Sequence, residues 1–589
     1  MRLVALSSPF VLLDDARAHG ASPARLYTNP VSVITATAPR EVAAALAAAT
    51  AASAAGRHVA GYLAYEAGHA LEPRLMPQAR ASALPLVWLG VFEDFEVIAA
   101  EEVPARLPSP AGAYANAPAP ARTRAAYDAA FARVQAYIAA GDIYQANLTV
   151  PFSVKTAGHP LALYAGLRAR AKAGYGGVIW TGTDWLLSLS PELFFAVQGG
   201  RVTTRPMKGT AARGHGLDDT ASIASIQSDP KQRAENLMIV DLLRNDLSRV
   251  AEPGSVKTPS LFQVETYPTV HQMTSTVTAT LRKDAGAVDI IKAVFPCGSI
   301  TGAPKIRAME VISEVEPHPR GPYTGSIGRI DPGGDAAFNV AIRTLHLAAG
   351  ETTATLGLGG GIVADSAVGS EWAEMEAKGA FVADRRCFDL IETMRFDPAS
   401  GIALLDRHID RIGTSARALG FPFDRHGARN ELQAATFRID MPRRVRLLLS
   451  KSGRIAVEIS ALPSVPDAPV DVPIVPLTVD AHDFRLRHKT SDRAFYTAAR
   501  GRWFEVALHD AEGFITEGSF TSIFVKRGGK LLTPPLARGL LPGVLREELI
   551  ARDMAIEADL RAEDLAGGFF IGNACRGLLA ARIATDAKS

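Results

Sequence analysis

The sequence predicts an α+β chain: a large unit of mixed strands and helices, followed by a smaller α+β unit. Three observations carry this. Strand-like and helix-like stretches mix without the regular βαβα alternation of a doubly wound sheet. The pattern breaks after Lys378, where a helical run gives way to an alternating strand near residues 385–388. The 589 residues are 48% hydrophobic and 21% charged, which leaves enough apolar surface for large cores.

The elements follow in order. Residues 1–15 hold one Arg and a short apolar stretch broken by Asp14 and Asp15, which lacks the long apolar core of a secretory signal. The alanine-rich run 41–56 reads as a helix, because alanine is a weak apolar residue and a strong helix former. It falls short of the roughly 20 apolar residues of a membrane span. Residues 104–122 combine prolines with small residues and read as an exposed connection. Two β-rich runs flank Gly199-Gly200 and predict a hairpin. Residues 232–247 predict a helix with Leu237, Met238, Val240, Leu243 and Leu247 along an apolar stripe. Beyond the seam come a strand, a turn at 397–401, another strand and a helix over 406–419.

Composition excludes several classes. With 63 Lys+Arg against 61 Asp+Glu the formal net charge is +2, so nothing marks a protein that coats nucleic acid or an anionic membrane. Cys297, Cys387 and Cys575 are far apart and form no C-x-x-C pair, so neither a zinc knuckle nor a disulfide framework is readable. That usage fits a reduced, cytoplasmic setting.

Before the seam, three clusters stand out. Glu371 and Glu374 are an i,i+3 pair on one helix face with Lys378 a further turn along, and Glu235 stands in a separate helix. Such acids suit Mg²⁺, which takes one or two carboxylates, keeps waters and accepts oxygens from an anionic substrate; a solvated helix face paired with Lys378 is the plain alternative. Lys208, held between proline and glycine in PMKGT at a strand end, becomes nucleophilic if desolvated, and is otherwise a turn lysine. The run 357–361 (GLGGG) allows close backbone approach to a ligand. It is not a dinucleotide fingerprint, since the third glycine of G-x-G-x-x-G would fall on Ile362.

Taken together, GDIYQANLT (141–149), SPELFF (190–195), PMKGT (206–210), ENLMIVDLLRNDLSRV (235–250) and HQMTSTV (271–277) resemble the chorismate-utilising family. FPCGSITGAPKIRAMEVI (295–312), YTGSIG (323–328), FNVAIRTL (338–345) and GGGIVADSAVGSEWAEMEAK (359–378) continue the match in order. That family holds anthranilate synthase component I, isochorismate and salicylate synthases, and aminodeoxychorismate synthase component I. The resemblance implies a β-sandwich-and-helix domain over residues 1–382. Lys208 resembles the aminodeoxychorismate synthase branch, since anthranilate synthases usually carry alanine there. In that branch the lysine is implied to attack C2 of chorismate and expel the C4 hydroxyl, after which ammonia attacks C4 and releases the lysine. The resemblance also implies that Glu235, Glu371 and Glu374 hold Mg²⁺, and that Glu192 and His271 act as acid/base or leaving-group residues. Tyr323, Arg343, the backbone of Gly359 and Gly361, and Lys378 are implied to bind the two carboxylates, with either Ser299 or Thr301 supplying a hydroxyl. Regulatory relatives carry L-L-E-S where this chain has Leu12-Leu13-Asp14-Asp15, which speaks against amino-acid binding there. No cysteine has the G-x-C-x-G-x-Q setting of a glutaminase, so a separate glutamine amidotransferase partner is expected to supply ammonia.

After the seam, Arg411, Lys489 and Glu517 are individually ordinary. Pyridoxal phosphate, however, needs an amine, a phosphate anchor and a carboxylate at its ring nitrogen. HIDR (408–411), KTSDR (489–493), EGSFTSIF (517–524), LLPGVLRE (540–547) and GNACRG (572–577) resemble fold-type IV pyridoxal phosphate enzymes, and imply such a domain over 386–589. The resemblance implies that Lys489 bonds the cofactor and shuttles the proton, Glu517 meets the ring nitrogen and Arg411 binds phosphate. The amides of Val544 and Leu545, with the Asn573-Ala574 loop, are implied to complete the phosphate site. Ser522 departs from the common Asn, and the segment lacks the first strands of free-standing relatives.

These motifs do not separate lyase from transaminase; the neighbouring domain favours the lyase. The expectation is a bifunctional, cytoplasmic enzyme that converts chorismate and ammonia to 4-aminobenzoate with Mg²⁺ and pyridoxal 5′-phosphate. Fold-type IV resemblance adds a homodimer through the second domain. The alternatives are a transaminase in the second half, or anthranilate synthase component I with a non-catalytic fused module.

Overall fold

A computed structural model describes the chain except residues 1, 2, 4, 5, 81, 213–218, 267–269, 465, 467, 468 and 585–589. It divides into two compact units. The first is Met1–Pro108, Ala117–Val154 and Tyr164–Ala383; the second is Ser109–Asn116, Lys155–Leu163 and Asp384–Ser589.

In the first unit, antiparallel pairing builds two large sheets. One runs from Gly302–Ala303 through Gln145–Ala157, Thr353–Ile362, Thr344–Ala348, Asp184–Ser190, Tyr175–Trp180, Phe10–Asp14 and Ala24–Thr28 to Glu96–Ile98. The other runs from Met207–Ala212 through Val270–Thr280, Arg201–Arg205, Leu193–Gln198, Ala336–Asn339, Ser326–Ile330, His58–Leu63 and Val87–Phe92 to Ser32–Ala36. Val11, Tyr27, Ile179 and Leu186 from the first sheet and Tyr62, Trp88 and Ile327 from the second share one core, so the sheets form a sandwich. Helices Val42–Ala54, Pro230–Ser248 and Ala287–Val294 pack over the second sheet through Leu46, Ile239, Leu243 and Ile290.

Gly199 and Gly200 have φ of +55° and +77°, and join Leu193–Gln198 to Arg201–Arg205 as the expected hairpin. The helix expected over 232–247 spans Pro230–Ser248, capped by the Asp229 carboxylate. Its buried stripe is rotated from the expected one. Leu237 is 49% exposed, while Asn236 is buried and accepts from the Ser275 hydroxyl at 2.5 Å. A hydrogen-bonded asparagine takes the inward position that hydropathy alone gave to leucine.

The second unit contains sheets of four, six and three strands with helices between, including parallel pairs such as Val470–Val472 with Gly577–Ile583. The segment 104–122 is not the exposed connection expected. Tyr114 is 3% exposed, and its ring lies 5.6 Å from Phe388 and 5.8 Å from Phe484. Tyr114 and Ala115 pair with Ala157 and Thr156, and Arg386 donates to the Ala111 and Ala113 carbonyls. Small residues on both sides let this strand pair closely while one aromatic ring enters the core. Segments from the first half of the sequence thus complete the second unit. Among the described residues no helix is long and apolar enough to cross a membrane.

Candidate active sites

Lys208 owes its position to a β-bulge. Strand Met207–Ala212 pairs with Val270–Thr280, and the register slips between Met207 and Thr210, a device that re-aims a side chain. Gly209 sits in the bulge at φ +99°, where a Cβ would stand 2.7 Å from Gln232 Oε1. Glycine is what this backbone accepts. Lys208 Nζ lies 3.2 Å from Glu235 Oε2 and 2.8 Å from where a Cβ on Gly361 would be. The Gln145 amide nitrogen lies 3.1 Å from that same point.

Strand Thr353–Ile362 is the floor of this site. Its glycines let other groups touch the backbone: the Tyr323 ring packs on Gly357, Glu371 Oε2 comes within 3.1 Å of the Cβ position of Gly360, and Lys378 Nζ donates to the Gly359 carbonyl at 2.9 Å. Helix Val368–Gly379 presents Glu371, Glu374 and Lys378 toward it, with Lys378 Nζ also 2.8 Å from Glu374 Oε1. Ser366 donates to Glu371 Oε1 at 2.7 Å. Burial, reinforced by Glu374, raises the Glu371 pKa. For Glu374 burial pushes up, but Lys378 outweighs it and the pKa falls.

Glu192 is 4% exposed. It accepts from the Ser299 hydroxyl at 2.8 Å, and burial pushes its pKa up to about 7. The Thr301 hydroxyl donates to the Cys297 and Gly298 carbonyls instead. Of the two candidate hydroxyls, Ser299 is the one beside an acid. His271 is fully buried, with Nδ1 3.1 Å from Thr266 Oγ1 and Nε2 3.2 Å from Asp219 Oδ1. Arg343 has φ +50°, and its carbonyl accepts from Leu189. Burial raises the Tyr323 hydroxyl well above its ordinary range.

The three acids expected to hold a metal are not drawn together. Among the described residues no three Asp, Glu, His or Cys side chains gather closely enough to hold an ion; Glu235 turns to Lys208 and Glu374 to Lys378. In kind the donors fit Mg²⁺, which takes hard carboxylate oxygens and needs only one or two of them. The raised Glu371 carboxyl beside Glu374 is an acid pair that a cation would relieve.

In the second unit, burial and the nearby Arg411 charge bring the Lys489 amine down to about 7. Arg411 is held as a fork, donating Nε and Nη2 to Glu392 at 2.8 and 2.6 Å and Nη1 to the Pro542 carbonyl at 2.9 Å. His408 Nδ1 lies 2.6 Å from the same carboxylate, while its Nε2 is buried without a partner. Helix Val544–Ala551 starts at Gly543 with no side-chain cap, which leaves the first amides, including Val544 and Leu545, open to an anion. A Cβ on Gly543 would lie 2.5 Å from the Ser522 hydroxyl, so the chain there is bare and close. Glu517 accepts from the Tyr496 hydroxyl and from the Leu541 amide, and burial lifts it to about 7. Asn573 Oδ1 accepts from the Cys575 and Arg576 amides and so shapes the loop that includes Ala574. An uncapped helix, an orphaned buried imidazole and a lysine of lowered pKa fit pyridoxal phosphate in these positions.

Three residues escaped the sequence reading. Gln145 is fully buried with both amide atoms unpartnered, next to Lys208; its strand also carries Asn147, Thr149, Ser153, Lys155 and Thr156, so no local signal singled it out. Glu392 orients Arg411. Buried Glu505 accepts from Ser519, Phe520 and Thr521, pinning the loop after Glu517. Neither acid shows a local pattern, because their partners lie 14–19 residues away.

The first unit is a β-sandwich that gathers a lysine, acids and bare glycine backbone at one centre, and the second unit gathers a buried lysine, a held arginine and an uncapped helix start. The chain belongs to the chorismate binding enzyme family, whose model matches residues 8–384. Residues 389–583 match amino-transferase class IV. The chain is 44% identical to aminodeoxychorismate synthase component 1 of Klebsiella aerogenes over 253 residues, 43% of this chain and 56% of the relative. It is 37% identical to anthranilate synthase component 1 of Haloferax volcanii over 301 residues, 51% of this chain and 57% of the relative. It therefore spans just over half the length of these curated relatives. Anthranilate synthase component I from Streptococcus pneumoniae superposes with a TM-score of 0.53 at 26% identity, covering 62% of this chain and 93% of that one.

Proposed function

We propose that the chain makes 4-aminobenzoate from chorismate at two sites. At the first, Lys208 attacks C2 of chorismate as the C4 hydroxyl leaves, and ammonia then attacks C4 and expels the lysine, giving 4-amino-4-deoxychorismate. The observation that carries this is the Lys208 amine on a bulge, beside Gln145 and over Gly361. Glu192, near half-protonated at neutral pH, donates a proton to the departing hydroxyl. Lys378, Arg343, Tyr323 and the amides of Gly359 and Gly361 hold the carboxylates, with His271 assisting at the leaving group. Glu235, Glu371 and Glu374 would hold Mg²⁺, which polarises the ring carboxylate when bound.

At the second site, Arg411, the Val544 and Leu545 amides and the loop at Asn573-Ala574 would hold a phosphate, and Glu517 the ring nitrogen of pyridoxal phosphate. That cofactor acts as an electron sink when bound. Lys489 removes the C4 proton of the substrate, and pyruvate leaves as the ring becomes aromatic. A separate glutamine amidotransferase supplies ammonia, a homodimer forms through the second unit, and the chain works in the cytoplasm. The matched family name amino-transferase class IV favours a second reading, transamination, which requires a keto-acid acceptor. Lys208→Ala with chorismate, and Lys489→Ala with supplied aminodeoxychorismate, test the assignment. Each variant should lose its own half-reaction and keep the other. Loss of both halves from either variant would contradict two independent sites.

A further inference from the structure

The second unit places more positive charge near Lys489 than a phosphate anchor uses. Arg395 and Arg444 stand directly opposite on the antiparallel strands Leu390–Asp397 and Arg443–Leu449, so both leave the same face, about 5 Å apart at Cβ. Like charges so placed destabilise a strand pair. Among the described residues neither guanidinium meets a carboxylate; Arg444 Nε donates to the Ser460 hydroxyl at 2.9 Å. Arg446, two residues along, is paired with Glu458 at 3.3 Å.

Arg576 is the third member. Its guanidinium lies 5.1 Å from the Phe520 ring and 5.4 Å from the Phe504 ring, and its Nε is buried without a partner. Burial raises the Cys575 thiol, while Arg576, Arg444, Arg395 and Lys489 all act on it in the opposite sense, so all four lie within electrostatic reach of one sulfur. The Ile391 amide donates to the Lys489 carbonyl at 2.9 Å, and Arg395 lies four residues further along the same strand, about 14 Å away.

We infer that Arg395, Arg444 and Arg576 form a carboxylate subsite, through which the second unit selects an amine bearing two carboxylates over a monocarboxylate amino acid. Guanidinium forks match carboxylates bidentately, and opposed arginines stop repelling once an anion lies between them. This inference rests on Lys489 as the cofactor lysine.

The test follows the absorbance of pyridoxal phosphate bound to the full chain, titrated with isophthalate (a ring dicarboxylate) or benzoate (its monocarboxylate). Wild type should half-saturate with isophthalate at a concentration at least about tenfold below that for benzoate, the loss of one paired ion contact being worth that much. The variant R395Q/R444Q should bind both alike, and R444K should keep part of the preference. If the double variant fails to hold the cofactor, R395Q and R444Q singly decide. Equal half-saturation in wild type, or a preference that survives the substitutions, overturns the subsite. Preference without pyruvate release from aminodeoxychorismate supports the subsite and removes the lyase reading. A chain that takes up no pyridoxal phosphate overturns both.

Discussion

The Ser299 hydroxyl donates to the Glu192 carboxylate at 2.8 Å, and that carboxylate is buried. The hydrogen bond favours the ionised acid, but burial is the larger influence, and the carboxyl rests near 7. A proton donor with that value is active below it. At constant free ammonia, formation of aminodeoxychorismate should therefore fall as pH rises through about 7. Glu192→Gln should remove that limb and lower kcat by about 10²–10⁴-fold. An unchanged profile in the variant would take the role from Glu192.

Gln145 has two buried amide atoms without partners beside Lys208. An unsatisfied buried amide costs about 1–3 kcal/mol, so its replacement by an apolar residue of similar shape should not reduce stability. Gln145→Leu should keep or raise Tm while reducing aminodeoxychorismate formation at least about tenfold, the equivalent of one lost hydrogen bond to a charged group. Calorimetry and product assay check this together. A lower Tm with full activity would make the residue structural.

The large elements were legible because they rest on local pattern. The hairpin at Gly199-Gly200 and the helix Leu405–Leu419 each follow from turn residues or periodicity, whereas the strand expected near 385–388 begins only at Leu390. The motif residues of the first site were legible as types, yet only the fold distinguishes Ser299 from Thr301, since that depends on which hydroxyl the backbone consumes. Glu392 and Glu505 were not legible, because a buried polar residue is defined by partners remote in sequence, and Gln145 was not, because nothing local marks which polar side chain of its strand stays buried without a partner. The segment around Tyr114 misled for the same reason: proline and alanine suggest exposure, and nothing nearby announces that one ring enters a core with Phe388 and Phe484.

Lys489 is held near 7 by burial and by Arg411. Only the neutral amine bonds a carbonyl, so the rate of pyridoxal phosphate uptake by cofactor-free chain should rise with pH and level off just above 7. An ordinary lysine would keep rising toward about 10. Stopped-flow absorbance reads the difference, and Lys489→Ala should abolish the visible band. A band retained in that variant would contradict the assignment.

Tyr114 lies in sequence before most of the first unit and in space within the core of the second. Tyr114→Ala should destabilise the second unit by roughly 3–5 kcal/mol, as for other large aromatic truncations. Cofactor uptake should weaken while chorismate consumption persists. A fragment beginning at residue 386 should likewise fail to bind pyridoxal phosphate. A fully active fragment would show that Ser109–Asn116 and Lys155–Leu163 are dispensable.

The most direct measurement incubates the purified chain with chorismate, Mg²⁺, ammonium and pyridoxal phosphate, without any keto acid, and resolves the aminobenzoate isomers by chromatography. With Lys208 at the first site and Lys489 at the second, 4-aminobenzoate and pyruvate should accumulate in equal amounts. Accumulation of the 2-amino isomer, or of aminodeoxychorismate that is consumed only when a keto acid is added, would contradict the account.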